Sequence, residues 1–169
     1  GGALPRYMVS SVKKFGGGTI MVWGAISAKG VGELQLCDAR VNGEGMAKIL
    51  EKGVQESLAK WHWGDKPFLL QQDNASVHGA PPVAEVIERN SWNVLKWPTY
   101  SADISPIENI WGILKQNLGE KRFHSDKELW EEVRKTWNAI PVADCLHAIQ
   151  FVPRRLALVI EAKGYYIRY

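Results

Sequence analysis

Two acidic residues stand where a carboxylate can do chemistry. Asp73 closes the stretch "PFLLQQD" and precedes "NASVHG", while Glu108 lies inside "SADISPIENIWGILK", with thirty-four residues between them. An apolar strand that ends in an aspartate delivers it to the carboxyl edge of an α/β sheet, where such sheets bind ligands. Glu108 opens a helix. Ser105, Pro106, Ile107 and Glu108 form a capping box with proline at the first helical position, and Ile107, Ile110, Trp111, Leu114 and Leu118 continue as an apolar stripe. Two carboxylates at one sheet edge suit hard Mg²⁺ ions, and a pair of such ions ~3.5–4 Å apart clamps the attacking and leaving oxygens of a phosphoryl transfer.

Each carboxylate also has a plainer reading. Asp73 with Asn74 reads as a turn at a strand end. Glu108 reads as a cap, and Ser125-Asp126-Lys127-Glu128 repeats the same box at the next helix with no chemistry attached. Against the cap stands Gly112, one turn beyond Glu108, which costs about 1 kcal/mol relative to alanine in a helix and lets another backbone or a ligand approach. A first-turn position also keeps the Glu108 carboxylate ionised through the helix dipole.

The elements that must position the pair are read from periodicity. Residues 1–18 are polar and glycine-rich and read as an arm or loop. "TIMVWGAI" (19–26) is a continuous apolar run, a strand covered on both faces; "VGELQLCD" (31–38) alternates and completes a hairpin. A helix comes next over about 44–61, then a strand over 67–74, a helix over 81–90 and a strand over 93–97. Three helices close the chain, over about 106–119, 126–140 and 142–163. Strand–helix–strand units need a parallel crossover, so the fold class is α/β: a mixed sheet of hairpin plus parallel strands with flanking helices.

Composition narrows the class. The chain has 169 residues, 46% hydrophobic and 23% charged, enough for one domain with its own core. The net charge of +3 permits a polyanionic partner without demanding one. Cys37 and Cys145 make neither a C-x-x-C nor a zinc pattern and read as buried, reduced thiols. No apolar run approaches the ~20 residues that span a bilayer, so no membrane partner is expected.

Four stretches, "GGGTIMVWGAISAKGVGEL", "QQDNASVH", "WPTYSADISPIENIWGILK" and "PRRLALVIEAKG", together resemble the catalytic domain of Tc/mariner-superfamily transposases, in particular the Tc branch. The resemblance runs from about Gly16 to Tyr169. It implies an RNase H-like DDE domain over 19–169 that cleaves DNA at transposon ends and joins the freed 3′-hydroxyl to target DNA, usually at a TA dinucleotide. By position, Asp73 and Glu108 look like the second and third members of the catalytic triad and the ligands of Mg²⁺ or Mn²⁺. Transposon-end and target DNA, a homodimer and nuclear localisation are implied with them.

The resemblance also implies what this chain lacks. The family's first aspartate sits on a central strand upstream, so that strand is expected to be missing and the domain N-terminally truncated. Asp38 and Asp65 do not match the missing position. Ser76, Ala102 and Ser105 replace a proline, a proline and an asparagine of the family pattern. On this reading the chain alone is inactive. Two rivals are a non-catalytic, transposon-derived remnant that binds DNA or protein, and an RNase H-like nuclease outside transposition. Asn74 and His78 are candidate accessory residues beside Asp73, and Lys115, Arg154 and Arg155 are candidate DNA contacts.

Overall fold

The computed structural model describes residues 6–15, 18–37, 42–72, 81–94 and 105–150. Its two layers meet on β2 (Gly18–Ser27), where each alternate side chain serves a different layer. Ile20, Val22 and Ile26 pack into one buried cluster; Trp23 and Ala25 pack into the other. This is the two-sided burial that the unbroken apolar run predicts.

The first cluster is built with three helices, α3 (Pro106–Leu118), α4 (Asp126–Asn138) and α5 (Val142–Gln150). The second is built with α1 (Gly43–Lys60) and α2 (Pro81–Arg89). Helices therefore cover both faces of one mixed sheet, as expected of the α/β class. Within it β5 (Leu69–Gln72) runs parallel to β6 (Asn93–Val94). Parts of the expected 67–74 and 93–97 strands and of the 142–163 helix lie outside the described residues.

One expectation is corrected. The sequence suggests an arm over 1–18 and a missing central strand, yet Arg6–Phe15 forms β1 in the middle of the sheet. It pairs antiparallel with β2 from Tyr7↔Ile26 to Phe15↔Gly18, and parallel with β5 from Arg6↔Leu70 to Met8↔Gln72. The cause is backbone demand. A gap between β2 and β5 would leave two rows of N–H and C=O groups unpaired. "RYMVSSVKKF", with its tyrosine, valines and phenylalanine, has the β-propensity to fill it. The segment contains no aspartate or glutamate, so the central place is occupied without a carboxylate.

The expected strand over 31–38 is also divided, into β3 (Gly30–Val31) and β4 (Gln35–Cys37), both antiparallel to β2. Two helices take hold of the backbone at the break. Glu33 N–H donates to Ser57 Oγ at 3.0 Å on α1, and the Gly32 carbonyl accepts from Trp137 Nε1 at 2.9 Å on α4. A Cβ at position 32 would meet Ser57 and the Ala25 carbonyl, which is why glycine stands there.

Both cysteines are buried thiols, in opposite layers. Burial pushes the Cys145 thiol up to about 12. Among the described residues no helix is long and apolar enough to cross a membrane.

The layer under α3 and α4 is set by size. Trp111 stacks on Trp137 with ring centroids 4.9 Å apart, above Gly24 of β2. A Cβ on Gly24 would lie 2.9 Å from both indoles. Gly24→Ala should therefore cost about 1–3 kcal/mol by overpacking, read as a lower urea midpoint at unchanged m-value. An unchanged midpoint would show that the two rings are not held against the strand.

Candidate functional site

The site is built where β5 ends and α3 begins. Leu70 of β5 is fully buried in the α1/α2 layer. Strand alternation turns Gln71 to the opposite face, the one that α3 covers, and Gln71 is also fully buried. A primary amide without solvent needs partners from the protein.

Ser105 is the partner the structure supplies. Its hydroxyl, only 1% exposed, donates to Gln71 Oε1 at 3.4 Å across thirty-four positions of chain. This overturns half of the expected capping box. Ser105 is the N-cap residue of α3 with extended backbone (φ −73°, ψ 122°), but its side chain makes no cap hydrogen bond. The Glu108 N–H is met by the backbone carbonyl of Ser105 at 3.1 Å.

The second box keeps its serine cap, while its glutamate reaches one residue past the cap to the preceding N–H. Ser125 Oγ accepts from the Glu128 N–H at 3.1 Å, and Glu128 Oε2 accepts from the His124 N–H at 2.9 Å. Two similar tetrapeptides therefore differ in use. The hydroxyl of Ser125 faces water and turns inward to its own helix; that of Ser105 is buried beside an amide oxygen that needs a donor.

The rest of α3 sorts cleanly into two faces. Pro106, Ile107, Ile110, Trp111, Leu114 and Leu118 are buried. Glu108, Gly112 and Lys115 are exposed, four and three residues apart along one side. A Cβ on Gly112 would meet nothing within 4 Å, so the surface beside Glu108 is open.

Gln72, the last residue of β5, is the covalent neighbour of Asp73. Asp73 itself, with Asn74 and His78, lies outside the described residues, as do Arg154 and Arg155. Of the expected site residues, Glu108 and Lys115 are thus placed, on one exposed helix face. Among the described residues no three His, Cys, Asp or Glu side chains are grouped to hold a metal ion.

Sequence reasoning missed Gln71 and the true role of Ser105. A signal was present: a glutamine pair ending an otherwise apolar strand. The amide exchange of the two caps should report their difference. Ser125→Ala should speed exchange of the Glu128 N–H, whereas Ser105→Ala should leave the Glu108 N–H protected by its backbone acceptor. Equal loss of protection in both variants would restore the capping role of Ser105.

With this geometry in hand, comparisons with known proteins are specific. The DDE superfamily endonuclease family matches residues 9–130. The chain is 33% identical over 164 residues to the transposable element Tc3 transposase of Caenorhabditis elegans, covering 96% of this chain and 49% of that protein. It is 31% identical over 167 residues to the Tcb1 transposase of Caenorhabditis briggsae, covering 98% of this chain and 59% of that one. The chain thus spans only about half to three-fifths of the length of these relatives.

Among solved structures, the fold is similar to the Mos1 transposase catalytic domain bound to Raltegravir and Mn. The TM-score is 0.82 at 21% identity, over 96% of this chain and 84% of that one. The Mos1 paired-end complex with Mg gives a TM-score of 0.85 at 19% identity, over 98% of this chain and 57% of that one. The mixed sheet with helices on both faces is accordingly RNase H-like, the expected fold class.

Proposed function

This chain belongs to the DDE superfamily of endonucleases, and on that premise we propose that it is the catalytic core of a Tc/mariner-type DNA transposase. The observation that carries the proposal is the Ser105–Gln71 hydrogen bond. It brings the first turn of α3, which carries Glu108, to the end of β5, which leads directly into Asp73. That supports a shared site for the two carboxylates.

The donors fit a hard divalent cation. Glu108 offers carboxylate oxygens on an exposed first turn, beside open space at Gly112, and Asp73 would supply the second carboxylate. When bound, Mg²⁺ or Mn²⁺ supplies charge neutralisation at the scissile phosphate and activation of water. Lys115, seven residues on along the exposed side and ~10 Å up the axis, would neutralise a neighbouring DNA phosphate. Asn74 and His78 would orient Asp73 or the phosphate, and Arg154 and Arg155 would add backbone contacts to DNA.

The chemistry needs no covalent enzyme intermediate. A water oxygen bonds to phosphorus at the transposon end, the P–O3′ bond breaks, and the 3′ oxygen leaves as a hydroxyl. That 3′-hydroxyl then attacks a target phosphodiester, so one phosphodiester is made as another is broken and no external energy source is required. A homodimer holding paired ends, and residence in the nucleus where the target DNA lies, accompany this reading.

A second reading has its own observation. The central strand β1 carries no carboxylate, so the chain by itself offers two of three triad members. This favours a unit that binds DNA or protein without cutting it.

The 169-residue chain should therefore bind Mn²⁺ but nick supercoiled plasmid no faster than background. Asp73→Asn and Glu108→Gln should each weaken Mn²⁺ binding about tenfold or more in a calorimetric titration. Equal binding by all three chains would remove the shared site. Nicking by the unaltered chain that both substitutions abolish would make it an enzyme in its own right.

A further inference from the structure

We propose that Gln71 and Ser105 form a positioning pair that sets the spacing of the cation site. The role presupposes that Asp73 and Glu108 share a cation, the reading given above. Gln71 lies two residues before Asp73 and Ser105 three residues before Glu108, so their single hydrogen bond ties together the two backbones that carry the ligands.

Three observations separate this from ordinary packing. Both side chains are almost wholly withdrawn from solvent, at 0% and 1% exposure. Ser105 gives up the cap bond that its position offers, which Ser125 makes in the same sequence context. Gln71 is also incompletely satisfied, since its Nε2 has no hydrogen-bond partner among the described residues. A leucine, the residue that precedes it in β5, would bury the same space without orphaned donors. A buried polar group retained against stability is expected where geometry, rather than packing, is being specified.

The pair acts through the ligands and touches no reacting atom, so metal affinity and fold stability should come apart. Gln71→Leu removes the unpartnered amide, and the freed Ser105 hydroxyl can turn to an open N–H of its own helix. The unfolding midpoint of the metal-free chain should therefore stay level or rise. Mn²⁺ affinity, measured by calorimetry and by the electron paramagnetic resonance of free Mn²⁺, should fall about tenfold. Ser105→Ala is the independent second variant and should lower affinity by a similar factor. The double variant should be no worse than either single, because both remove one link.

Unaltered Mn²⁺ affinity in Gln71→Leu and Ser105→Ala, or losses that add in the double variant, would overturn the pair. So would a fall in affinity that only tracks a fall in stability. Failure of the underlying reading looks different: Glu108→Gln would then bind Mn²⁺ as the unaltered chain does, whatever positions 71 and 105 carry.

Discussion

A buried amide must be answered from within the protein, and at Gln71 that requirement reaches across the fold. Leaving its oxygen bare would cost about 1–3 kcal/mol, more than the ~1 kcal/mol a helix cap contributes. Ser105 Oγ is turned to donate to Gln71 Oε1 and does not accept a first-turn N–H as a cap would, and the larger penalty sets that orientation. The hydroxyl donates to Gln71 Oε1, and the start of α3 is held against the end of β5. Every functional statement about Glu108 depends on where that first turn is fixed.

One hydrogen bond locates a helix end but not its axis. The axis is fixed further along by Trp111, whose ring is clamped between Trp137 and the bare backbone of Gly24. Trp137 is in turn held by its indole N–H on the Gly32 carbonyl, at the break between β3 and β4. The polar anchor at Ser105 and the aromatic anchor at Trp111 thus stand less than two helical turns apart. With both in place, Glu108 cannot rotate into the core, and its face, shared with Gly112 and Lys115, stays open to solvent.

The helices and the double-sided strand were legible because burial leaves a period in the sequence. The Val22/Trp23 alternation and the Ile107, Ile110, Trp111, Leu114 stripe are direct records of which neighbours they meet. What could not be read depends on partners distant in the chain. β1 forms because two other strands need something between them, and "VKKFGGG" does not state that need. β3 and β4 separate because Ser57 and Trp137, twenty-four and one hundred and five positions away from Glu33 and Gly32, compete for backbone that a ladder would use. Asp73 and Glu108 were legible as residue types at a spacing; the Gln71 link that relates their elements was not.

The two Ser-x-x-Glu boxes carry the functional argument one step further. Local sequence assigns them the same role, and Ser125 fulfils its part by capping the start of α4. Were Ser105 only a cap, its burial beside Gln71 would be a needless burden: a water-facing serine caps as well and leaves no amide to satisfy. On the proposed reading, the difference lies in the aspartate to which β5 leads. A cap would be indifferent to the strand, whereas a cation held between two carboxylates demands that strand and helix keep one separation as the rest of the domain breathes. A short polar link at the root of both ligands is the least chain that can enforce it. On the proposed reading, the departure of Ser105 from its expected bond serves Glu108 and Asp73 and not the helix it begins.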